Sequence, residues 1–209
     1  DSNRCSLGAA LRTMGAEIVH SSRVGDDVRE LAERVTSVRE DIDILVTSGG
    51  VSVGDKDVVR MLLGESAEVK FRRVFMKPGK PLTFALDKGL VIFGLPGNPV
   101  SSMVSLELFV RPAINKMLGR TPLVPDRVPV TLATDIKPSD RLEFQRVQVT
   151  VDDTGRLRAS STGNQISSRL ASMLNANALI VIDAGSETIP AGTIVPAILL
   201  DLPRSASTN

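Results

Sequence analysis

The chain has 209 residues, 42% of them hydrophobic, with 25 basic against 24 acidic side chains and a formal net charge of +1. That length holds one large domain or two small ones around a real core, and the balanced charge gives no support to a nucleic-acid or membrane-surface partner as a global property. The single cysteine, Cys5, and the single histidine, His20, exclude a disulfide framework, a thiolate metal cluster, a multi-histidine zinc site and a His-based triad, and no apolar run approaches the roughly 18 residues of a membrane span.

Taken in chain order, "DSN" reads as a cap for a helix over "RCSLGAALRTM", which Gly15 stops. "AEIVH" then reads as a strand. Asp26 or Asp27 caps a second helix, in which Val28, Leu31, Ala32, Val35 and Val38 follow the helical period. "DILVTS" is a short apolar run of the kind buried on both faces of a parallel sheet. A helix is expected over "DVVRMLLG", strands over "EVKFRRVFM", "PLTFAL" and "LVIFGL", and a long helix from Pro99 to Leu118. This alternation predicts an α/β domain over residues 1–121, with a mostly parallel sheet and flanking helices. "RTPLVPDRVP" carries three prolines in ten residues and reads as a linker. Beyond it, "VPVTLAT", "EFQRVQVTV", "RLRASS", "ALIVIDA" and "TIVPAILLDL" predict a small all-β, barrel-like domain over 122–209.

Four stretches are candidates for chemistry. "TSGGVSVGDKD" (47–57) follows a buried strand, the place where α/β proteins bind ligands. Gly49 and Gly54 have P-loop spacing, but Asp55-Lys56 stands where Lys-Ser/Thr is required. Asp55 or Asp57 there can hold Mg²⁺; equally, the loop can be no more than a tight strand-to-helix turn with an acidic cap. In "GLPGNPVSS" (94–102), Pro96-Gly97 has the composition of a type II turn, Asn98 of an N-cap and Pro99 of the first helical residue. The free N–H groups of such a helix start suit an anion.

In "MKPGKPL" (76–82), a Pro-Gly turn carries Lys77 and Lys80 at its ends, which calls for something negative between them. From Val69 to Phe84 there are five basic residues and no acid. Arg73 shares strand parity with Phe71 and Phe75 and is expected to be half-buried, whereas Lys70 and Arg72 read as solvated. The fourth candidate is in the β domain, where "RLEFQR" (141–146) and "STGNQISSRLASM" (161–173) gather arginines and hydroxyls.

Together and in this order, "SGGVSVGD-x-D", "MKPGKPL", "GLPGNPVSS", "EFQR" and "GNQISSRLASM" resemble the molybdopterin molybdenumtransferase family, the MoeA-like proteins that include the gephyrin E domain. The resemblance runs over essentially the whole chain and corresponds to the carboxyl-terminal part of a family member. It implies a molybdopterin-binding α/β fold lacking its first strand and two absent amino-terminal subdomains, without which the chain is expected to be inactive alone; that the chain opens on Asp1 rather than Met separately reads as a piece of something longer.

The activity implied is Mg²⁺-dependent insertion of molybdate into adenylated molybdopterin with release of AMP. By resemblance, Lys77 and Lys80 act on molybdate with Ser52, Pro81, Arg146 (or Arg141) and Ser168 (or Ser167). Asp57 and Asp26 hold the metal, with Asp55 behind them, and Gly49, Gly50, Gly97, Asn98 and Ser101 cradle the pterin phosphate. Also implied are a homodimer in the full-length protein, fusion to or contact with a molybdopterin adenylyltransferase domain, and a cytoplasmic location. The alternative is a non-catalytic scaffold or a pterin-binding fragment of a gephyrin-like protein.

Overall fold

The computed structural model describes residues 2–25, 27–49, 67–163, 165 and 170–205. The chain divides into two compact units, one of Asp1–Val74 and Gly79–Leu123, the other of Phe75–Pro78 and Val124–Asn209.

In the first unit, α1 (Ser2–Thr13) ends before Gly15, whose φ of 93° is the left-handed value of a helix stop. The second helix, α2 (Val28–Val38), starts where the Asp27 carboxylate accepts from the Arg29 N–H at 2.8 Å. Strands β1 (Ile44–Ser48), β2 (Glu68–Arg73), β4 (Pro81–Asp87) and β5 (Leu90–Leu95) form a sheet in the order β1-β5-β4-β2. β3 (Met76–Lys77) belongs to the other unit. Where the sequence reading makes the sheet mostly parallel, its described strands are mixed: β1 and β5 run parallel, and β4 runs antiparallel to both β5 and β2. The reason is local. Lys88 and Gly89 have φ of 47° and 93°, the positive values a two-residue hairpin needs, so β4 and β5 must be antiparallel.

Alternation along β5 assigns each face its helices. Phe93 and Leu95 pack with Leu7 of α1, with Met14 just after it and with Leu106, Val110 and Ile114 of the long helix, whereas Leu90 and Ile92 pack with Leu31 and Ala32 of α2. The sheet is therefore covered by helices on both sides, as an α/β layer must be. Arg39 ties α2 to the hairpin, with Nη1 2.5 Å from the buried Asp87 Oδ2 and Nη2 donating to its carbonyl.

Three local expectations are corrected. "AEIVH" (16–20) is not a strand, since among the described residues no strand pairs with it. The long helix is interrupted: α3 (Pro99–Ser105) passes through a π-helical turn (Leu106–Val110) into α4 (Arg111–Met117). Pro112 lacks the N–H that an α-helix would give to Leu108, and the Arg111 N–H reaches back to the Leu106 carbonyl instead. "EVKFRRVFM" is two strands, and Arg73 is exposed while Arg72 is half-buried. Register shifts between Val69 and Phe71 and between Phe71 and Arg73 break the parity on which the reading relied.

The second unit is a closed five-stranded barrel among its described residues. β6 (Arg127–Leu132), β7 (Leu142–Val151), β8 (Leu157–Ser161), β9 (Ala178–Ile182) and β10 (Ile194–Leu199) pair in the ring β7-β8-β6-β10-β9, and β9 returns to β7. Val130, Leu132, Val147, Val149, Ile180 and Ala197 fill it. β3 and the short β11 (Arg204–Ser205) add to the two ends of β7, both in parallel.

Candidate functional site

In the first unit, parallel pairing places Ser48, the last residue of β1, beside Leu95, the last of β5. The loops after both strands therefore leave the same end of the sheet, the end at which such sheets bind ligands. Asn3, in the first turn of α1, ties these loops together. Its Nδ2 donates to Ser48 Oγ at 2.7 Å and to the Gly97 carbonyl at 2.8 Å. Ser48 Oγ donates to the Pro96 carbonyl at 3.0 Å and lies 3.3 Å from Ser102 Oγ. Ser102 Oγ is itself hydrogen-bonded to the Pro96 carbonyl and lies 3.2 Å from that of Asn98. Gly97 meets the other loop directly, since a Cβ added to it would stand 3.5 Å from Gly49 Cα. Gly49 has φ 105° and donates to the Leu95 carbonyl.

The same end of the sheet carries unspent polar capacity. Asn3 Oδ1, Thr47 Oγ1 and Thr83 Oγ1 are buried without a hydrogen-bond partner among the described residues. Thr47 and Thr83 flank Gly94 in register, one on each side strand. Buried oxygens of this kind are where a polar ligand or water gains most, because leaving them unpaired is costly.

In the second unit, β3 sets Lys77 opposite Glu143 in parallel register, and Lys77 Nζ lies 2.6 Å from Glu143 Oε1. Glu143 is buried, and its other oxygen accepts from Gln145 Nε2 at 3.1 Å. Arg146 is almost fully buried, with Nε and Nη2 at 3.3 and 3.2 Å from Ser172 Oγ. Burial pushes its guanidinium down to about 10 while Glu143 opposes the shift, so the group stays charged at neutral pH. Arg141 stands at the surface against Asp140, whose hydrogen bond raises it, with its guanidinium 5.4 Å from the centre of the exposed Phe75 ring. A cavity of about 280 Å³ opens on the barrel beside Thr134, Asp135, Lys137 and Gln145.

Of the residues singled out from sequence, Gly50, Ser52, Asp55, Asp57, Asp26, Ser167 and Ser168 lie outside the described residues. Gly49, Gly97 and Asn98 belong to the first cluster, Ser101 is buried in the first turn of α3, and among the described residues the hydroxyl that joins the cluster's hydrogen bonds is that of Ser102. Gly97 lacks the positive φ of a type II turn, and what marks it instead is its close approach to Gly49. Asn98 precedes α3 as expected, though its side chain makes no cap hydrogen bond. Gly79 has φ 103° and the Lys77–Pro78 peptide is cis. Lys80 is exposed and its carbonyl accepts from the Val74 N–H, while Pro81 opens β4.

Sequence reasoning missed Asn3, Ser48, Glu143 and Ser172. All four lie inside motifs already quoted, but "DSN" reads as a cap, "EFQR" draws attention to its arginine, and Ser48 and Ser172 sit near the edges of "TSGGVSVGDKD" and "STGNQISSRLASM". Among the described residues no cluster of acidic, histidine or cysteine side chains suits a metal ion, and no helix is long and apolar enough to cross a membrane.

Comparison with known proteins gives the arrangement a relationship. The family described as "Probable molybdopterin binding domain" matches residues 1–116, and "MoeA C-terminal region (domain IV)" matches residues 129–200. The chain is 40% identical to the molybdenum cofactor synthesis protein cinnamon of Drosophila melanogaster, over 96% of this chain and 34% of that protein. It is 29% identical to the molybdopterin molybdenumtransferase of Haemophilus influenzae, over 93% and 49%. It thus spans half or less of the length of these curated relatives. A solved molybdopterin biosynthesis moeA protein from Pyrococcus horikoshii superposes with a TM-score of 0.75 at 25% identity, covering 95% of this chain and 48% of that one. With more than half of its length matched in the unit that carries the Asn3 cluster, the chain belongs to the family of probable molybdopterin binding domains.

Proposed function

We propose that this chain acts in molybdenum cofactor biosynthesis, as the part of a molybdopterin molybdenumtransferase that inserts molybdate into the dithiolene of adenylated molybdopterin and releases AMP. The observation that carries the reading is the Asn3 cluster: it fastens the Gly97 turn to the end of β1 in a family of molybdopterin-binding domains. A turn held by three side chains offers its backbone to a ligand without reorganising, which is the cheapest way to bind a phosphate.

In this reading Gly49, Gly50, Gly97, Asn98 and Ser101 receive the pterin phosphate. Lys77 and Lys80, three apart in the chain, act on molybdate as point charges, with Ser52, Pro81, Arg146 and Ser168. Asp57 and Asp26 are the proposed Mg²⁺ ligands, and carboxylate oxygens are the donors that ion prefers. When bound, Mg²⁺ supplies positive charge to the phosphates of the adenylate.

The test is to titrate the full-length protein that contains this chain with adenylated molybdopterin, with and without Mg²⁺, following heat, AMP release and molybdenum uptake. Binding with Mg²⁺-dependent AMP release is expected. The Asp57→Asn variant should lose AMP release and Mg²⁺ binding together while keeping its melting temperature. If Asp57 only caps a helix, Asn would cap about as well and activity would survive. Absence of any adenylate binding would overturn the reading.

A further inference from the structure

The run from Val69 to Phe84 contains five basic residues and no acid, yet one of its lysines already has an anion. Glu143 is buried, with Oε1 2.6 Å from Lys77 Nζ and Oε2 accepting from Gln145. Strand register sets the same two residues opposite each other, so backbone and side chains fix one contact twice. The partners are unequally placed. The Lys77 side chain is 52% exposed and that of Glu143 4%, so the ammonium is the outward end of the pair.

A carboxylate taken out of water needs a cation, and Lys77 supplies it. An ammonium has three N–H donors, and one carboxylate oxygen occupies one of them. Donors therefore remain for an external oxyanion. Any anion that takes them stands close to a negative charge that cannot leave.

We propose that Glu143 is the resident anion of the Lys77 site. It holds the ammonium in position when no oxyanion is bound, and by like-charge repulsion it limits how tightly an oxyanion is held there. This rests on the reading of Lys77 as a molybdate ligand. Glu143 acts through Lys77 and is a positioning residue. Because the repulsion scales with the charge of the ligand, it weighs about twice as heavily on a dianion as on a monoanion of the same shape. The molybdate-to-perrhenate affinity ratio reads this effect, and a purely structural role would leave that ratio alone.

The experiment is calorimetric titration of the 209-residue chain with molybdate and, separately, with perrhenate. Glu143→Gln keeps the shape and an acceptor oxygen for Lys77 while removing the charge. It should tighten molybdate on the order of ten-fold and perrhenate by roughly three-fold. Glu143→Asp, which draws the carboxylate back by one methylene, should tighten molybdate by less, and it decides the matter should the Gln variant not fold. Unchanged or weaker molybdate binding in a folded variant, or equal gains for both anions, overturns the role of Glu143. Lys77→Met separates the two readings. If it binds molybdate as the parent does, or if neither the parent nor any variant binds molybdate, the assignment of Lys77 fails. If it loses binding while the Glu143 variants gain none, only the resident anion falls.

Discussion

Asn3 and Gly97 are 94 positions apart in sequence and are joined by a 2.8 Å hydrogen bond from the Asn3 amide to the Gly97 carbonyl. The same amide nitrogen reaches Ser48 Oγ, so one side chain spans the first helix, the first strand and the Pro-Gly turn. Asn3→Ala should cost about 0.5–1.5 kcal/mol, the net worth of an intramolecular hydrogen bond, since the Gly97 carbonyl is exposed and water can take the place of the lost donor. Asn3→Asp should cost more, because it turns a donor into a second oxygen facing a carbonyl. Urea denaturation checks both through a lowered midpoint at constant slope. An unchanged midpoint in the Ala variant would mean that the turn is held by other contacts.

Gly97→Ala tests close approach in isolation. The added methyl meets Gly49 Cα at an ordinary 3.5 Å and no positive φ is involved. Stability should therefore stay within about 0.5 kcal/mol of the parent. On the proposed function the variant nevertheless binds adenylated molybdopterin more weakly, as calorimetry would read.

Gly79→Val addresses the bend between the two lysines through its backbone. Gly79 has φ 103°, a value β-branched residues resist, so the variant should lose about 1–3 kcal/mol. Gly79→Asn should lose less. Thermal melts of the two variants decide it, and equal melting temperatures would show that the bend relaxes at no cost.

Lys80→Ala separates charge from fold. The side chain is exposed, and its truncation should leave stability within about 0.5 kcal/mol of the parent. If Lys80 acts on molybdate, cofactor formation should become more than about ten-fold poorer in molybdate, a loss of about 1.4 kcal/mol, with pterin binding near normal. An unaltered molybdate dependence would remove Lys80 from the site.

Ser172→Ala probes the buried guanidinium. Arg146 Nε and Nη2 both point to Ser172 Oγ, and hydrogen bonds to a charged group in low dielectric are worth about 1.5–3 kcal/mol. A loss of that size in urea is expected, and a change under about 0.5 kcal/mol would show that Arg146 finds another acceptor.

The sequence alone determined what depends on neighbours in the chain. A cap at Asp26 or Asp27, Gly15 as a stop, Pro99 as the first residue of a helix and a strand over "LVIFGL" all follow from local rules, and so do the two kinds of unit. The ordered motifs carried the family. Only the tertiary structure decided which residues meet. Lys77 leaves the segment that β2 begins and pairs with β7, so it answers to Glu143, 66 positions later (143 − 77), rather than to the lysine three residues on. Asn3 sits in the first turn of its own helix yet fastens a turn 94 residues away. Arg73 turned outward because register shifts against β4 override parity. In each case a long-range hydrogen bond or ion pair outweighs the local pattern, and a buried polar group takes whichever partner the fold brings within about 3 Å, which no spacing in the sequence encodes.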